Sequence, residues 1–166
     1  MPVSAESYKQ IGRSAAGAVS IVSASDPDTQ SIAALTVSSF VTLSFDPPLV
    51  MFAIQHNANS YKALVQGQTF GVSLLGAHQA EIGQRLATKG EAKITETQFE
   101  MGPVLKVPLI PGSIMQIECV TTEIFKSGDH VIVVGMVESA RASQGAPLLY
   151  FSRQFGTFQP ILPKAQ

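Results

Sequence analysis

The chain has 166 residues, of which 45% are hydrophobic and only 14% are charged, and its formal net charge is −1. This length is typical of one domain with a sizeable core, so we expect a single domain over 1–166. The near-neutral charge, without a basic stripe, argues against nucleic acid as the main partner. The apolar runs are too short to cross a bilayer, the N-terminus lacks a signal-peptide pattern, and the single cysteine forbids an internal disulfide. We therefore expect a cytoplasmic protein.

The N-terminal part of the chain predicts a short helix followed by a β-hairpin. Apolar residues recur at helical spacing over 4–16, Ser4 is a suitable N-cap, and Gly17 ends the pattern. Strand-like runs follow at 18–24 and 32–37, separated by a turn-forming segment. The hairpin brings the residues after its second strand to a strand end, where ligand contacts are common.

Small hydroxyl side chains are concentrated at this strand end, where Thr36, Ser38 and Ser39 surround Val37. Closely spaced hydroxyls with free backbone N–H groups suit an oxygen- and nitrogen-rich ligand such as a flavin ring or a phosphate. A solvated strand edge is the commoner use of such residues. The residues alone leave both interpretations open.

Two strands joined by a proline turn come next. Val41, Leu43 and Phe45 alternate with hydroxyl residues, and this period of two predicts a half-buried strand. Asp46-Pro-Pro48 ends that strand because proline fixes φ and has no N–H for a ladder hydrogen bond. The run 49–54 predicts a second, almost wholly apolar strand.

The segment Thr36-Val-Ser-Ser-Phe40, with Leu43-Ser44 and Asp46-Pro-Pro-Leu-Val50, resembles the signature of the flavin reductase-like family. The turn Gly128-Asp-His130 and the strand-like run Gly145–Phe151 extend the resemblance over most of the chain. It implies a mainly β fold, an antiparallel, Greek-key-like FMN-binding split β-barrel with peripheral α-helices. Many short strands separated by turns indicate a barrel even without the family. The helices are expected near 4–16, 59–66 and 77–88.

The resemblance also implies an activity, an NAD(P)H:flavin oxidoreductase that transfers a hydride from nicotinamide C4 to flavin N5. The flavin would be FMN or FAD, the donor NADH or NADPH, and the protein a homodimer that supplies reduced flavin to a separate monooxygenase. The sequence does not choose within either pair of nucleotides. Because 95–103 and 30–34 depart from the family pattern, an FMN-holding electron-transfer protein without NAD(P)H turnover remains the alternative.

Four stretches, 36–39, 51–53, 59–62 and 85–87, are assigned to the flavin by the resemblance, together with local patterns. The 59–62 stretch begins a predicted helix, whose free N–H groups suit a phosphate. Ordinary N-capping is the commoner use of a serine such as Ser60, and the resemblance favours the phosphate site. Arg85 and Lys89 would meet phosphate charge, with a solvated helix end as the alternative. The expected flavin residues are Thr36, Val37, Ser38, Ser39, Met51, Phe52, Ala53, Asn59, Ser60, Lys62, Arg85, Leu86 and Ala87.

The nicotinamide is assigned to two later segments. The Gly-Asp-His turn implies that His130 lies at the mouth of the nicotinamide site. It would cap its strand, contact the nicotinamide or deliver a proton; the resemblance favours contact, because the cofactors themselves carry hydride chemistry. Arg153 would bind the phosphates of the dinucleotide and Phe155 would stack, unless Phe155 is a core aromatic. The expected contacts of this second segment are Ser152, Arg153, Gln154 and Phe155.

One long strand is predicted over 114–125. Its alternation places Cys119 on the inward face, as a small buried hydrophobe, and places Gln116 and Glu118 on the outward face. The segment 90–112 predicts a loop with short strand pieces, and the tail 160–166 is expected to be loosely held.

Several kinds of site are not indicated. No G-x-G-x-x-G motif follows a strand, so a Rossmann domain is not expected. The three histidines, His56, His78 and His130, lack partners at ligand spacing, and we expect no metal site. No serine or cysteine lies in a nucleophile motif.

Overall fold

The computed structural model describes residues 3–88, 92–95 and 97–161, so the expectations for Lys89 and for 162–166 lie outside the described residues. Within these ranges the chain is mainly β, and every strand pair is antiparallel. The strands are β1 Gly17–Ala18, β2 Ser20–Ser25, β3 Ile32–Val37, β4 Val41–Phe45, β5 Pro48–Gln55, β6 Thr69–Leu74, β7 Glu100–Met101, β8 Pro108–Leu109, β9 Met115–Ser127, β10 His130–Ala142, β11 Leu148–Phe151 and β12 Gln154–Thr157. The α-helices are α1 Ala5–Ser14, α2 Ala80–Ala87 and α3 Ala92–Thr95.

The three predicted helices are present with adjusted bounds. Ser4 caps α1 by accepting a hydrogen bond from the Ser7 N–H at 3.1 Å. The helix expected near 59–66 is a π-helix, Lys62–Gln66, and the one expected near 77–88 is a 3₁₀ turn, Ala77–Gln79, continued by α2. In the part of the chain that the structure describes, no helix is long and apolar enough to cross a membrane.

The main sheet closes on itself as a barrel. Its seven strands follow the order β3-β2-β6-β9-β10-β5-β4. The edge strands β3 and β4 are joined by only three residues, Ser38, Ser39 and Phe40. Such a linker spans at most about 14 Å, so the two edges must lie close together. A separate three-stranded sheet, β1-β11-β12, packs beside the barrel.

Two hydrophobic clusters lie on opposite sides of the barrel wall. The interior cluster includes Phe52 and Phe70, whose rings pack edge to face with centroids 5.2 Å apart. The outer cluster contains Val19, Leu86 and Leu148, and it fixes α2 and β11 against the sheet. Aromatic and aliphatic burial of this kind is the main source of stability.

Gln116 and Glu118 lie on the outward face of β9, as expected, but this face is covered. Both side chains point away from the barrel interior, but the 100–110 segment folds over them and buries them. The Glu118 carboxylate accepts hydrogen bonds from the N–H groups of Val104 at 3.1 Å and Leu105 at 2.6 Å. A buried carboxylate requires such donors, so Glu118 anchors this loop to the sheet.

Substituting Glu118 with glutamine is expected to lower the free energy of unfolding by about 2 kcal/mol, because hydrogen bonds to a charged group contribute about 1.5–3 kcal/mol. Urea denaturation at neutral pH measures this change. Glu123→Gln is the matched control, since Glu123 is exposed on the same strand. Equal losses in the two variants would contradict the anchoring role.

The apolar face of β4 is exposed, which corrects the expectation of a half-buried strand. Phe45 is fully exposed, and Val41 and Leu43 are about half exposed. Alternation identifies the apolar face but not what covers it. Beside this face runs an apolar groove of about 460 Å³. It is lined by Phe40, Thr42, Leu43, Ser44, Phe45, Pro48, Leu49, Val50, Met115, Ile117, Val137, Ala140, Arg141 and Ala142.

Candidate functional site

A cavity of about 250 Å³ lies where β3 ends, between α2 and the β11–β12 hairpin. We call it the ring cavity. It brings together five of the residues that the sequence assigned to cofactors: Thr36, Val37, Ser38, Ala87 and Phe155. These residues come from three separate parts of the chain. The complete lining is Val19, Thr36, Val37, Ser38, Gln84, Ala87, Tyr150 and Phe155.

Close backbone contacts position the hydroxyl segment in this cavity. The Thr36 hydroxyl donates a hydrogen bond to the Gly83 carbonyl oxygen at 2.9 Å, which ties β3 to α2. Gly17 lies against Ser38 so closely that a Cβ on it would come within 2.9 Å of the Ser38 Cβ. Only glycine fits there without displacement. Gly17 also pairs with Tyr150, and this pairing brings β11 to the cavity.

Two aromatic side chains form one wall of the ring cavity. The rings of Tyr150 and Phe155 have centroids 5.4 Å apart and planes inclined at 59°. Phe155 is half-buried and also packs against the outer cluster. Phe155 is therefore both a core aromatic and a cavity-lining residue, the two alternatives that the sequence left open. An aromatic wall beside hydroxyl groups suits a flat heteroaromatic ring.

Ser39 points away from the ring cavity, toward β5. Its hydroxyl accepts from the Ala53 N–H at 3.0 Å and donates to the Ala53 carbonyl oxygen at 3.3 Å. Both backbone groups of Ala53 are therefore engaged within the protein. The Phe52 side chain is buried in the interior cluster, and Met51 pairs with Val41 across β4 and β5. The assignment of Phe52 and Ala53 to the flavin is corrected accordingly, and that of Met51 stays a prediction.

The three residues of α2 that were expected to contact the flavin lie on different faces of the helix. Ala87 lines the ring cavity, whereas Arg85 lines an adjacent open groove of about 450 Å³ together with Glu81 and Phe155. Leu86 is buried in the outer cluster and cannot touch a ligand, because helical geometry turns it onto the sheet. The assignment of Leu86 to the flavin is thereby corrected.

The 59–62 stretch lies apart from the ring cavity. The Lys62 ammonium pairs with Asp28 at 2.5 Å and with Asp26 at 3.7 Å, and the hydrogen bond to Asp28 raises the pKa of Lys62. These carboxylates belong to the β2–β3 turn, at the opposite end of β3 from Thr36–Ser38. Lys62 is therefore not a free charge near the cavity. Ser60 is buried, and Asn59 is exposed.

The same turn carries Gln30, where the sequence departs from the family pattern. Gln30 has a φ of 59°, in the left-handed region, and its N–H donates to the Asp26 carbonyl oxygen at 2.9 Å. This departure lies at the turn end of the hairpin, away from the ring cavity.

His130 begins β10 and is paired with its neighbour. Its Nδ1 lies 2.7 Å from Asp129 Oδ1, and this hydrogen bond lowers the pKa of Asp129. An ionised carboxylate accepts a hydrogen bond, so Nδ1 is the donor, and in the tautomer with its hydrogen on Nδ1 the Nε2 atom is an acceptor. Ile132 lies opposite Ala53, and Ser39 binds the far side of Ala53. His130 is therefore about 12 Å from Ser39, two strands across the sheet and two residues along β10. It does not line the ring cavity.

The expected segment 152–155 is the turn and second strand of the β11–β12 hairpin. Ser152 and Arg153 have φ values of 48° and 65° and form a two-residue turn. The Ser152 N–H donates to the Arg13 carbonyl oxygen at 3.2 Å, which fixes the turn to α1. Gln154 pairs with Phe151 and is exposed.

Sequence reasoning missed three residues of the ring cavity: Val19, Gln84 and Tyr150. Val19 and Tyr150 lie in apolar runs that read as ordinary strands. Gln84 lies one residue before the expected contacts on α2, and the helical spacing of Gln84 and Ala87 was the signal that could have identified it.

The buried thiol of Cys119 has no catalytic environment. Burial raises its pKa to about 12, so the thiol stays protonated and unreactive near neutral pH. Cys119 belongs to the interior cluster, as expected. Among the described residues no group of three or more His, Cys, Asp or Glu side chains is placed to hold a metal ion.

Comparison with known proteins places the chain. The family model for the flavin reductase like domain matches residues 12–159. The NADH:riboflavin 5'-phosphate oxidoreductase of Streptomyces pristinaespiralis is 34% identical over 130 residues, which cover 77% of this chain and 74% of the relative. The FMN reductase (NADH) SmoA of Agrobacterium fabrum is 32% identical over 140 residues, which cover 84% of this chain and 78% of the relative.

A solved structure agrees with these relatives. BorF, the flavin reductase component of a bacterial two-component tryptophan halogenase, superposes with a TM-score of 0.84 at 27% identity, covering 95% of this chain and 99% of BorF. The predicted mainly β split-barrel fold is confirmed. The chain belongs to the flavin reductase-like domain family.

Proposed function

We propose that this protein is an NADH-dependent flavin reductase that uses FMN or FAD. The observation that carries the proposal is the ring cavity, which gathers Thr36–Ser38, Ala87 and Phe155 from distant parts of the chain. The chain's relatives named above are NADH:flavin oxidoreductases, which favours NADH over NADPH. When bound together, the nicotinamide and the flavin supply hydride transfer from C4 to N5.

The residues of the cavity fit a flavin ring. Its walls are the aromatic pair Tyr150 and Phe155 and the aliphatic side chains of Val19 and Val37. The exposed Ser38 hydroxyl and the backbone groups that follow β3 supply polar contacts at one edge. Thr36 keeps acceptor capacity while its proton is bound to Gly83. The protein's contribution is to hold the two rings in a reactive orientation, with water excluded between them.

His130 orients the nicotinamide in this proposal. With Nδ1 bound to Asp129, its Nε2 lone pair accepts a hydrogen bond from the carboxamide NH₂ of the nicotinamide. The distance from His130 to Ser39, measured across two strands, is about 12 Å. A tricyclic ring with a second ring stacked on it bridges this distance. Proton delivery is not required of His130, and the hairpin residues Ser152–Phe155 complete the site.

We assign the exposed face of β4 to a homodimer interface. Val41, Leu43 and Phe45 form a contiguous apolar surface beside the apolar groove. Monomeric soluble proteins rarely expose a surface of this kind. A two-fold axis would place Phe45 of each copy against the groove of the other, as a self-complementary interface requires.

Replacing Phe45 with aspartate is expected to convert the dimer into a monomer, because it places a charge in an apolar interface. Phe45 is fully exposed in the single chain, so the monomer's own stability should not change. Sedimentation velocity measures the association state. The matched control is Ile161→Asp, an equally exposed apolar residue outside the groove. A dimeric Phe45→Asp variant would rule out this interface.

We propose that the product, reduced flavin, is transferred to a separate oxygenase component. BorF is the flavin reductase component of a two-component tryptophan halogenase, and another relative is the reductase subunit of a flavin-dependent monooxygenase. The ring cavity lies at the protein surface, so a flavin can leave after reduction. The reduced nicotinamide nucleotide that the reaction consumes favours the cytoplasm as the place of action.

Mixing the purified protein with FMN and NADH in air, and following the nicotinamide absorbance band, tests the activity. We expect NADH loss that depends on flavin, with NADPH and FAD run in parallel to establish both preferences. Binding of FMN without consumption of either dinucleotide would refute the reductase and establish the electron-transfer alternative. Failure to bind any flavin would remove the assignment of the ring cavity.

A further inference from the structure

A second cavity, of about 240 Å³, lies between α1 and the tip of the β11–β12 hairpin. We call it the basic cavity. Tyr150 lines both cavities, so the two are neighbours. The lining of the basic cavity is Lys9, Gly12, Arg13, Ala15, Tyr150, Ser152 and Arg153.

Positive charge is concentrated in this cavity. Three of the chain's 11 Lys and Arg residues, Lys9, Arg13 and Arg153, line it, and no lining residue is acidic. Glu6 lies 3.9 Å from the Arg13 guanidinium, at the limit of an ion pair, and is largely exposed. The cavity therefore keeps a net positive charge in a chain whose overall charge is −1. Such a concavity attracts anions.

The hairpin tip holds Arg153 in an uncommon backbone conformation. Two-residue hairpin turns with positive φ at both positions favour Asn and Gly, and other residues are strained there. This turn instead carries Ser152 and Arg153, with φ values of 48° and 65°. The hydrogen bond from the Ser152 N–H to the Arg13 carbonyl oxygen fixes the tip beside α1. Arg153 is thus held beside α1, and it lines the basic cavity together with the two cations of the helix.

The chemistry of the lining indicates the ligand class. Guanidinium groups bind phosphate oxygens through paired N–H donors, and an ammonium adds a point charge. Gly12 lies between Lys9 and Arg13 on α1, and a Cβ on it would meet nothing within 4 Å, so this surface of the helix is open to the ligand. A cationic cavity beside an aromatic one matches a molecule that has a flat ring at one end and a diphosphate beyond it.

We propose that the basic cavity binds the diphosphate of a dinucleotide whose ring lies in or against the ring cavity, and that Lys9 and Arg13 of α1 act there with Arg153. The proposal rests on the proposed function. It adds α1 to the site, a helix for which the sequence indicated no role in binding. Two ligands carry this diphosphate, NADH and FAD, and both contain the ADP group.

Calorimetric titration with ADP-ribose tests the shared chemistry, because this probe contains the ADP group without a nicotinamide or a flavin. Lys9→Ala and Arg153→Ala are each expected to weaken its binding by about tenfold, the effect of one charged hydrogen bond. Lys106→Ala, an exposed cation outside both cavities, should leave binding unchanged. Unaltered affinity in both cavity variants, or no binding of ADP-ribose by the native protein, overturns the proposal.

Two further comparisons identify the source of the diphosphate. If it belongs to NADH, the variants raise KM for NADH but not for 1-benzyl-1,4-dihydronicotinamide, which has no phosphate. If it belongs to FAD, they weaken FAD binding, followed by flavin fluorescence, but not riboflavin binding. An equal loss with phosphate-free and phosphate-bearing ligands overturns the proposal, since the cations would then act through the fold. Failure of the proposed function is distinct: the native protein would oxidise no NADH with any flavin.

Discussion

Substituting His130 with alanine is expected to lower kcat/KM for NADH by between about 10-fold and 100-fold, with the affinity for FMN unchanged. The reason is the fixed tautomer: the hydrogen bond between Nδ1 and Asp129 at 2.7 Å leaves Nε2 as an acceptor. Losing one oriented hydrogen bond to the nicotinamide corresponds to about 1.5–2.7 kcal/mol of binding free energy. Initial rates of NADH oxidation at saturating FMN, with FMN binding followed by fluorescence, give both quantities.

The neighbouring carboxylate provides a sharper version of this experiment. Asp129→Asn removes the charge that selects the Nδ1–H tautomer while keeping the side-chain shape, so we expect a smaller loss of kcat/KM than in His130→Ala. The double variant should be no worse than His130→Ala alone, because Asp129 acts only through the imidazole. His78→Ala is the control, as His78 is exposed and lines none of the cavities described. A His130→Ala variant that loses FMN affinity while keeping its KM for NADH would move His130 from the nicotinamide to the flavin.

The sequence predicted the elements of the fold well where local patterns decide them. The strand 32–37 and the alternating segment 41–45 have the bounds expected from their period of two. The alternation of apolar and polar residues did not show which segment of the chain covers each face of a strand. Glu118 read as outward, and it does leave the barrel interior, but a loop fourteen residues earlier covers it. Phe45 belongs to the apolar face of a strand that the alternation predicted to be half-buried, but its side chain is fully exposed. Whether a strand face is buried depends on residues distant in the chain, whereas the periodicity of the strand is local.

The candidate site shows the same division. Thr36, Val37 and Ser38 were assigned to the flavin by their hydroxyl-rich pattern together with the family resemblance, and they meet in the ring cavity. Lys62 was chosen as a cation at a helix start, yet Asp28, 34 residues away, neutralises it. Such long-range pairing leaves no local signal. Lys9 shows the converse, because only the docking of the hairpin tip on α1 makes an ordinary helical lysine part of a charged cavity.

Enlarging Ala87 to phenylalanine is expected to weaken FMN binding by at least about 100-fold and to abolish flavin-dependent NADH oxidation. Ala87 is exposed at the end of α2, and its methyl group lines the ring cavity. A larger side chain there occupies the space that the ring needs, and overfilling a packed site is unfavourable by about 1–3 kcal/mol even where the surroundings can move. Fluorescence titration with FMN measures the affinity.

The fold should not be affected, because Leu86 and not Ala87 carries the packing of α2 on the outer cluster. We therefore expect an unchanged thermal midpoint, and a graded series Ala87→Ser, Ala87→Leu and Ala87→Phe should lose FMN affinity in order of side-chain volume. Ala5→Phe makes the same change at an exposed position of α1 outside both cavities and should bind FMN normally. Full FMN affinity in Ala87→Phe, with the fold intact, would mean that the flavin binds elsewhere, and the apolar groove beside β4 would be the next cavity to test.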